Sequence, residues 1–287
     1  MELILLAPLW VQLLLAFVLG SAIGSFLNVL IHRLPRILDH NWRQECTAYL
    51  ELDKSPAASE QSNPPSLLWP ASHCPKCHNK IRAWHNIPLL GYLMLGGKCR
   101  DCDASISPRY PLVELITALA SVAVIYSLGA TPQGLFALFF TWALIALTGI
   151  DFDEHLLPDS ITLPLLWAGL IVNSQGLFTD LHTALFGAVA GYLVLWLVYW
   201  VFKLVTGKEG MGFGDFKLLA ALGAWLGWPW LASIILLSSL TGLFFAICFM
   251  LFSGNKKSAP VAFGPYLAMA GWLCMVAGPL VTQLIPV

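Results

Sequence analysis

Long apolar stretches with few charged residues recur along the whole of this chain. Most are long enough, as helices, to cross a hydrocarbon core of roughly 30 Å. They are continuously apolar, whereas the strands of a membrane barrel alternate apolar and polar residues. Together with 58% hydrophobic and 11% charged residues, they predict an all-α polytopic membrane protein with about eight transmembrane helices. The eight stretches are residues 3–31, 111–128, 134–150, 159–174, 183–205, 216–227, 229–253 and 261–284.

Basic residues are concentrated between alternate pairs of these stretches. If the first helix runs inward, ten of the fifteen Lys and Arg residues lie in the segment 32–110, and the other five lie near two later inner loops. No basic residue is then left outside, which fixes the orientation by the positive-inside rule. Both termini are predicted to lie outside, in the periplasm of a double-membraned bacterium. Because membrane insertion accounts for the basic residues, no nucleic-acid surface is expected.

Three parts of the chain are predicted from this pattern. Residues 1–31 are the first transmembrane helix, which is retained because no small-residue cleavage pattern follows it. Residues 32–110 are a small cytoplasmic loop domain, and residues 111–287 are the membrane bundle. Within the loop domain, residues 41–70 are polar and are expected to be loosely ordered, whereas residues 71–110 contain four cysteines.

Two CxxC pairs, Cys74 with Cys77 and Cys99 with Cys102, are separated by twenty-one residues. This spacing is typical of a four-thiolate zinc site. Disulfides are disfavoured, because the orientation places the segment in the reducing cytoplasm. Four protein ligands leave no open coordination position, so the predicted zinc ion is structural rather than catalytic. A thiol redox pair or a vestigial site is the alternative.

Asp151 and Asp215 each lie where an apolar stretch meets a polar break. Two predicted helices separate them, and an even number of crossings brings both residues to the same face of the membrane. Two carboxyl groups a few ångströms apart share a proton, so one is an acid and the other a base, as in an aspartic protease. This is the predicted mechanism, with Asp215 as the base. The two glycines of Gly212-Phe213-Gly214-Asp215 let the backbone bend and let an extended substrate approach.

The sequence also allows different roles for these acids. Asp151, Asp153 and Glu154 also fit a magnesium site of a membrane transferase that acts on a lipid diphosphate. Asp215 alone fits a helix cap after a glycine turn, and Asp159, after a proline, is typical of a helix start. A transporter or scaffold with glycine-broken helices is a third class.

Two polar residues lie inside the predicted helices. Glu114 lies in the second stretch, where an intramembrane acid is a candidate functional residue, and an ion pair with a neighbouring base is the alternative. Asn28 lies in the first stretch and is predicted to hold two helices together through hydrogen bonding.

Several short motifs occur in an order that is typical of one known family. They are residues 24–29, residues 32–35, the two CxxC pairs, residues 106–111 with Glu114, residues 150–159, residues 212–220 and residues 263–266. Together they extend over almost the whole chain. In this order they resemble the type IV prepilin peptidases, which are bifunctional prepilin leader peptidases and N-methyltransferases.

The resemblance implies an aspartic endopeptidase of the bacterial inner membrane. It would remove the leader peptide of type IV prepilins, and of type II secretion pseudopilins, at the cytoplasmic face. It would then methylate the new N-terminal residue with S-adenosylmethionine as the methyl donor. By this match the peptidase pair is Asp151 and Asp215, the same two residues that topology selects.

The methyltransferase residues follow from the resemblance alone. The family relates this activity to the cysteine-containing loop, here with Gly97 and Lys98, and we add Glu114 to these candidates. Residues 32–110 are too few for a dinucleotide-type domain, and no glycine-rich strand-to-helix turn for a nucleoside occurs.

Overall fold

The structure, a computed structural model, describes residues 7–50, 66–67, 69, 71–253 and 262–278. Within these residues it consists of helices, a 3₁₀ turn at Ala83–Asn86 and two isolated β-bridges. The helices are α1 (Leu9–Tyr49), α2 (Leu90–Met94), α3 (Arg109–Leu128), α4 (Pro132–Glu154), α5 (Asp159–Asn173), α6 (Leu181–Thr206), α7 (Phe213–Leu226), α8 (Trp230–Ser253) and α9 (Gly264–Val276).

Each of the eight predicted apolar stretches forms a helix. Helices α1, α3, α4, α6 and α8 are long and apolar enough to cross a membrane, and α5 and α9 are shorter apolar helices. The prediction of an all-α membrane protein is therefore confirmed. The ends of the first and last predicted stretches, residues 3–6 and 279–284, lie outside the described residues, as does much of the predicted loop 41–70.

The chain forms two compact units. One contains residues 14–120, and the other contains residues 1–13 with 121–287. The first includes most of α1, the cysteine-containing segment and the start of α3. The second includes the remaining helices and both candidate catalytic aspartates.

In the first unit, α1 packs closely on the start of α3. Asn28 Nδ2 donates a hydrogen bond to the carbonyl oxygen of Tyr110 at 3.0 Å, which confirms the predicted role of this amide. One turn earlier, a Cβ on Gly24 would lie 2.7 Å from Glu114 Cα. Only glycine allows this approach between the two backbones, as is typical of small residues at membrane helix contacts.

Helix α1 continues well beyond the residue at which the predicted membrane helix ends. It passes through Pro35 and stops at Tyr49, so the first part of the predicted loose loop is helical. Its polar extension is supported by local contacts one turn apart, including the ion pair of Arg43 with Asp39 at 2.8 Å. The apolar window ends near residue 31, but pairs at this spacing favour continued helix on a solvated surface.

In the second unit, α6 and α7 cross with their backbones in contact. A Cβ on Gly187 would lie 2.3 Å from the carbonyl oxygen of Gly223, and a Cβ on Gly223 would lie 2.2 Å from that of Gly187. One turn along α6, a Cβ on Gly191 would lie 2.7 Å from the Leu219 carbonyl oxygen. The spacing of Gly187 and Gly191 is the GxxxG pattern of membrane helix pairs, a signal that the sequence prediction did not use.

The far end of α7 is fixed by hydrogen bonds to α5. Asn173 Nδ2 donates to the carbonyl oxygens of Ala224 and Trp225 at 2.8 and 3.0 Å. Its Oδ1 accepts from the backbone amides of Phe178 and Thr179. Buried Trp225 in turn donates from Nε1 to the α5 backbone at 2.8 Å. The free carbonyl groups of Ala224 and Trp225 at this helix end thereby have hydrogen-bond partners inside the bundle.

Gly187→Leu should destabilise the protein by at least the ~1–3 kcal/mol typical of overpacking, because the new side chain meets backbone rather than a movable side chain. Thermal unfolding of the purified protein in detergent measures the effect. Val189→Leu is the matched control, since Val189 lies two residues along α6 and is 50% exposed. Equal melting temperatures for the two variants would contradict a close crossing at Gly187.

Candidate active site

Asp151 lies in the last turn of α4. The helix begins after Thr131, whose side chain accepts a hydrogen bond from the Gly134 amide. It ends at His155, which adopts a left-handed conformation with φ 50° and donates its amide to the Asp151 carbonyl oxygen. The chain therefore turns away immediately after the apolar helix, and Asp151 remains on the buried side of the final turn.

Asp215 lies in the first turn of α7, which begins after Gly212. The two glycines before it have different surroundings. A Cβ on Gly214 would lie 2.8 Å from Leu157 Cβ, so close packing requires glycine there. A Cβ on Gly212 would meet nothing closer than 4.0 Å, and the φ of Gly212 is −84°, so neither sterics nor backbone conformation requires glycine at this position.

The two carboxyl groups are both buried and belong to one site. Asp151 is 5% exposed and Asp215 is 7% exposed. Leu157 packs beside both residues: it lies against Gly214, next to Asp215, and against Gly264, next to Asp151. Asp151 Oδ2 is inaccessible to solvent and has no hydrogen-bond partner among the described residues. A buried carboxylate oxygen without a donor is unfavourable, which sets this site apart from the satisfied polar groups elsewhere in the bundle.

A third segment, the start of α9, closes the site. A Cβ on Gly264 would lie 2.6 Å from Asp151 Oδ2 and 3.1 Å from Leu157 Cδ1. Leu157, in the connection between α4 and α5, therefore packs against two glycines: Gly214, which precedes Asp215, and Gly264, which lies beside Asp151. The sequence prediction placed Gly264 in a family motif but gave it no role, because its contact with Asp151 joins residues far apart in the chain.

The neighbouring acids lie outside this buried pair. Asp153 and Glu154 are exposed. Asp159 begins α5, as predicted, and both of its oxygens accept from Lys217 Nζ at 2.7 Å. Within the described part of the chain, no aspartate or glutamate belongs to a group of three or more residues that could hold a metal ion. The arrangement therefore gives no support to the predicted magnesium alternative.

The four predicted cysteine ligands come together in the first unit. Their sulfur atoms all lie within 4.8 Å of one another, and Cys74 Sγ is 3.8 Å from Cys102 Sγ. Sulfurs around a tetrahedral zinc ion with bonds of about 2.3 Å lie about 3.8 Å apart. The cluster therefore fits a structural metal ion.

The two CxxC turns have matching backbone geometry. The amide of Cys74 donates to Asn79 and that of Cys99 to Ala104, at 3.0 and 2.8 Å. The residue after each second cysteine is left-handed, with φ 58° at His78 and 52° at Asp103. Backbone amides of Cys77 and Lys76 lower the pKa of the Cys74 thiol to about 6. Desolvation and the neighbouring thiols instead raise the pKa of Cys77 and Cys102, so Cys74 is the thiol that most readily forms the thiolate a metal requires. Equivalent turns are thus preformed around one cluster.

The three candidate methyltransferase residues are tied to the short helix α2. Buried Glu114 accepts the backbone amide of Leu89 through Oε2 at 2.7 Å, just before α2. Gly97, after α2, has φ 71°, and a Cβ there would lie 2.9 Å from Tyr92 Oη. Lys98 forms an isolated bridge at the start of the second knuckle. The structure thus places Glu114 at one end of α2 and Gly97 with Lys98 beyond the other.

These features define a class of protein: a helical membrane protein with a buried pair of acids at one end of its bundle and a separate cysteine cluster. Comparison with known proteins places it more narrowly. Residues 18–128 match the Bacterial Peptidase A24 N-terminal domain, and residues 138–247 match the Type IV leader peptidase family. The chain belongs to the type IV leader peptidase family.

Curated relatives match over nearly their whole length. A protein of Aeromonas hydrophila named prepilin leader peptidase/N-methyltransferase is 53% identical over 274 residues, which cover 96% of this chain and 93% of that protein. Proteins of the same name from Pseudomonas aeruginosa and Legionella pneumophila are 52% and 42% identical, over 94% of this chain and 93% and 92% of theirs. No solved structure matches the chain.

The family resemblance drawn from the sequence is therefore confirmed. The relatives support a peptidase and N-methyltransferase rather than a lipid-diphosphate transferase. The roles of individual residues, including Asp151, Asp215 and the four cysteines, remain predictions.

Proposed function

We propose that this protein is a bifunctional enzyme of the bacterial inner membrane that processes type IV prepilins. It removes the leader peptide at the cytoplasmic face and then methylates the new N-terminus with S-adenosylmethionine. Pseudopilins of type II secretion are proposed as further substrates, because the motif resemblance covers both precursor classes. The positive-inside distribution of Lys and Arg supports periplasmic termini.

One observation carries the peptidase assignment. Asp151 and Asp215 both lie in the matched leader peptidase segment, residues 138–247, and both carboxyl groups are buried beside the same side chain, Leu157. Burial of two acids in an apolar bundle is energetically unfavourable. Buried acids of this kind therefore indicate a functional site. Other polar groups of the bundle, such as Asn173, have complete hydrogen bonding, so the unpartnered oxygen is a local feature of this pair.

The proposed reaction uses the two acids in different protonation states. Asp215 is the base, because it lies in the first turn of α7, where the helix dipole stabilises negative charge. It takes a proton from a water molecule that attacks the scissile carbonyl carbon. Asp151, in the last turn of α4 and with an unpartnered oxygen, holds the proton and delivers it to the leaving amine.

The substrate is proposed to approach past Gly212. Gly212 is exposed, and within the described part of the chain a Cβ added there would meet nothing closer than 4.0 Å, so the backbone of an extended peptide can come close to it. Leu157 occupies the space beside Gly214. The two glycines therefore have different roles: Gly214 permits close packing, and Gly212 permits access of the substrate.

Asp151→Asn and Asp215→Asn should each reduce leader removal by at least about 10²–10⁴-fold, because amides cannot act as base or acid in this reaction. The assay incubates the purified protein with a prepilin and reads the product N-terminus by mass spectrometry. Asn preserves side-chain size, so packing around the pair changes little.

Asp153→Asn is the matched control on the same turn of α4, and it should cleave at the wild-type rate because Asp153 is exposed. Methylation of an already cleaved pilin by the two inactive variants would verify that they are folded. Normal cleavage by either Asp151→Asn or Asp215→Asn would reject the proposed pair.

The methyltransferase activity is proposed to depend on the unit formed by residues 14–120. The four cysteines would hold a structural zinc ion, which supplies rigidity and no open coordination position. Gly97 and Glu114 would act by fixing the two ends of α2, and Lys98 by fixing the adjoining knuckle. This would keep the surface that binds S-adenosylmethionine in one conformation.

Purified protein should contain about one zinc ion per chain, and Cys74→Ser should lose most of it, because three thiolates bind zinc less tightly than four. Elemental analysis by mass spectrometry measures the metal directly. Cys46→Ser is the control, since Cys46 is exposed on α1 and lies outside the cluster. Equal zinc content in all three proteins, or none in the wild type, would exclude the proposed site.

A further inference from the structure

A surface of exposed apolar side chains surrounds the short helix α2. The 3₁₀ turn Ala83–Asn86 packs on α2, and a Cβ on Gly91 would lie 2.2 Å from the His85 carbonyl oxygen. The pair of elements presents its large apolar side chains outward: Trp84 is 72% exposed, and Leu93 and Met94 are each 71% exposed. Ile87 and Leu90 extend the same surface. Exposed apolar surfaces of this kind mark contact with a partner or a membrane.

The hydrogen bond of Glu114 to Leu89 fixes the depth of this surface. Helix α3 begins at Arg109 and is apolar and long enough to cross a membrane. At 1.5 Å per residue, Glu114 lies about 7 Å along it. The Leu89 amide is 2.7 Å from the Glu114 carboxyl group. Leu90, Leu93 and Met94 therefore follow a residue that is fixed beside the first turns of this apolar helix.

The backbone at Leu89, just before α2, is strained. Leu89 has φ 61° and ψ −51°, and the Leu90 amide donates to the Pro88 carbonyl oxygen at 2.6 Å, which defines a γ-turn of the rare and strained form. A carboxylate that accepts its amide compensates for this strain. The segment is therefore fixed to α3 at this depth rather than resting on the surface by chance.

Basic residues flank the apolar segment on both sides in the sequence. Lys80 and Arg82 precede it and Lys98 and Arg100 follow it, and all four are exposed. Apolar side chains in the centre with Lys and Arg around them are typical of segments that lie in the membrane interface and attract anionic headgroups.

We propose that residues 83–94, the interfacial segment, are embedded in the headgroup region of the inner leaflet and bind anionic phospholipid. Trp84, Leu93 and Met94 enter the boundary with the acyl chains, and the basic residues contact the phosphates. The bilayer thereby supports the cysteine-containing unit on its membrane side. None of these residues belongs to the proposed peptidase pair, so the lipid contact does not depend on that assignment.

Photo-crosslinking in vesicles tests the embedding. In the full protein, Leu93 is replaced by the photoreactive residue p-benzoylphenylalanine, and the protein is placed in vesicles of phosphatidylethanolamine and phosphatidylglycerol. After illumination, mass spectrometry quantifies the lipid adducts. Leu119, 53% exposed on α3, is the lipid-facing control, and Tyr49, 88% exposed at the end of α1, is the solvent-facing control. Adducts at Leu93 should lie within about twofold of those at Leu119 and about tenfold above those at Tyr49.

Two results would overturn the proposal. One is an adduct yield at Leu93 no higher than at Tyr49. The other is cross-linking of Leu93 to an added prepilin in place of lipid, which would make the segment a substrate surface. Replacing phosphatidylglycerol with phosphatidylcholine tests the charge preference: adducts at Leu93 should decrease while those at Leu119 stay constant, and equal yields would reject anionic recognition.

A second, independent observation concerns Gly264 and rests on the proposed peptidase function. Its backbone leaves no room for a methyl group beside Asp151 Oδ2, at 2.6 Å, and Leu157 blocks the adjacent space. Pro265 follows at the start of α9 and restricts the backbone there. The start of α9 thus packs closely against the Asp151 carboxyl group with a restricted backbone.

We infer that Gly264 is a positioning residue that sets the orientation of the Asp151 carboxyl group toward the reaction. Gly264→Ala should reduce kcat for leader removal by about 10²-fold, the usual effect of displacing a reacting group by about 1 Å. KM should change little, because the new methyl group would lie against Asp151 Oδ2 and Leu157. Methylation of an already cleaved pilin should be unchanged.

Gly271→Ala is the matched control on the same helix. A Cβ there would lie 2.5 Å from Leu222 Cδ2, so the position is equally crowded, but it lies two turns along α9 from Gly264. This variant should melt at a lower temperature and keep its kcat.

The outcomes separate the two proposals. If Asp151→Asn is inactive but Gly264→Ala has the wild-type kcat, the positioning role is wrong and the peptidase assignment stands. If Gly264→Ala lowers cleavage and methylation equally, the effect is structural, and the positioning role is also rejected. Cleavage by Asp151→Asn removes the basis of both.

Discussion

The backbone contact of Gly187 with Gly223 is the constraint on which the acidic site depends. Helix α7 has only fourteen residues, about 21 Å in length, which is short of a hydrocarbon core. It is buried from Asp215 to its end, apart from half-buried Lys217. A helix of this kind needs neighbours that approach closely, and the glycines of α6 and α7 permit that approach. Asp215 is thereby held inside protein rather than lipid.

Polar groups in this bundle follow two different patterns. Asn173 uses both atoms of its amide, so its burial stabilises the end of α7 at little cost. Asp151, near the opposite end of the bundle, leaves one oxygen without a donor. A local departure from complete hydrogen bonding, in a fold that satisfies it elsewhere, is expected at a functional site rather than in a structural core.

The sequence predicted what depends on local pattern and on counting. Apolar length predicted the eight helices, an even number of crossings placed Asp151 and Asp215 at one face, and cysteine spacing predicted the cluster. It did not predict the extension of α1 to Tyr49, because hydropathy marks only the apolar part of this helix. The contact of Gly264 with Asp151 was also missed, because it joins segments more than one hundred residues apart.

Leu157 lies against both Gly214 and Gly264, and so it joins the surroundings of the two aspartates through a single side chain. The size of the side chain at position 157 is consequently limited by two backbone segments, one at Gly214 and one at Gly264. During divergence of related chains, a larger or smaller residue at this position can persist only if one of those glycine segments shifts with it. We therefore expect positions 157, 214 and 264 to evolve as a linked trio, whereas position 212 is free of this constraint.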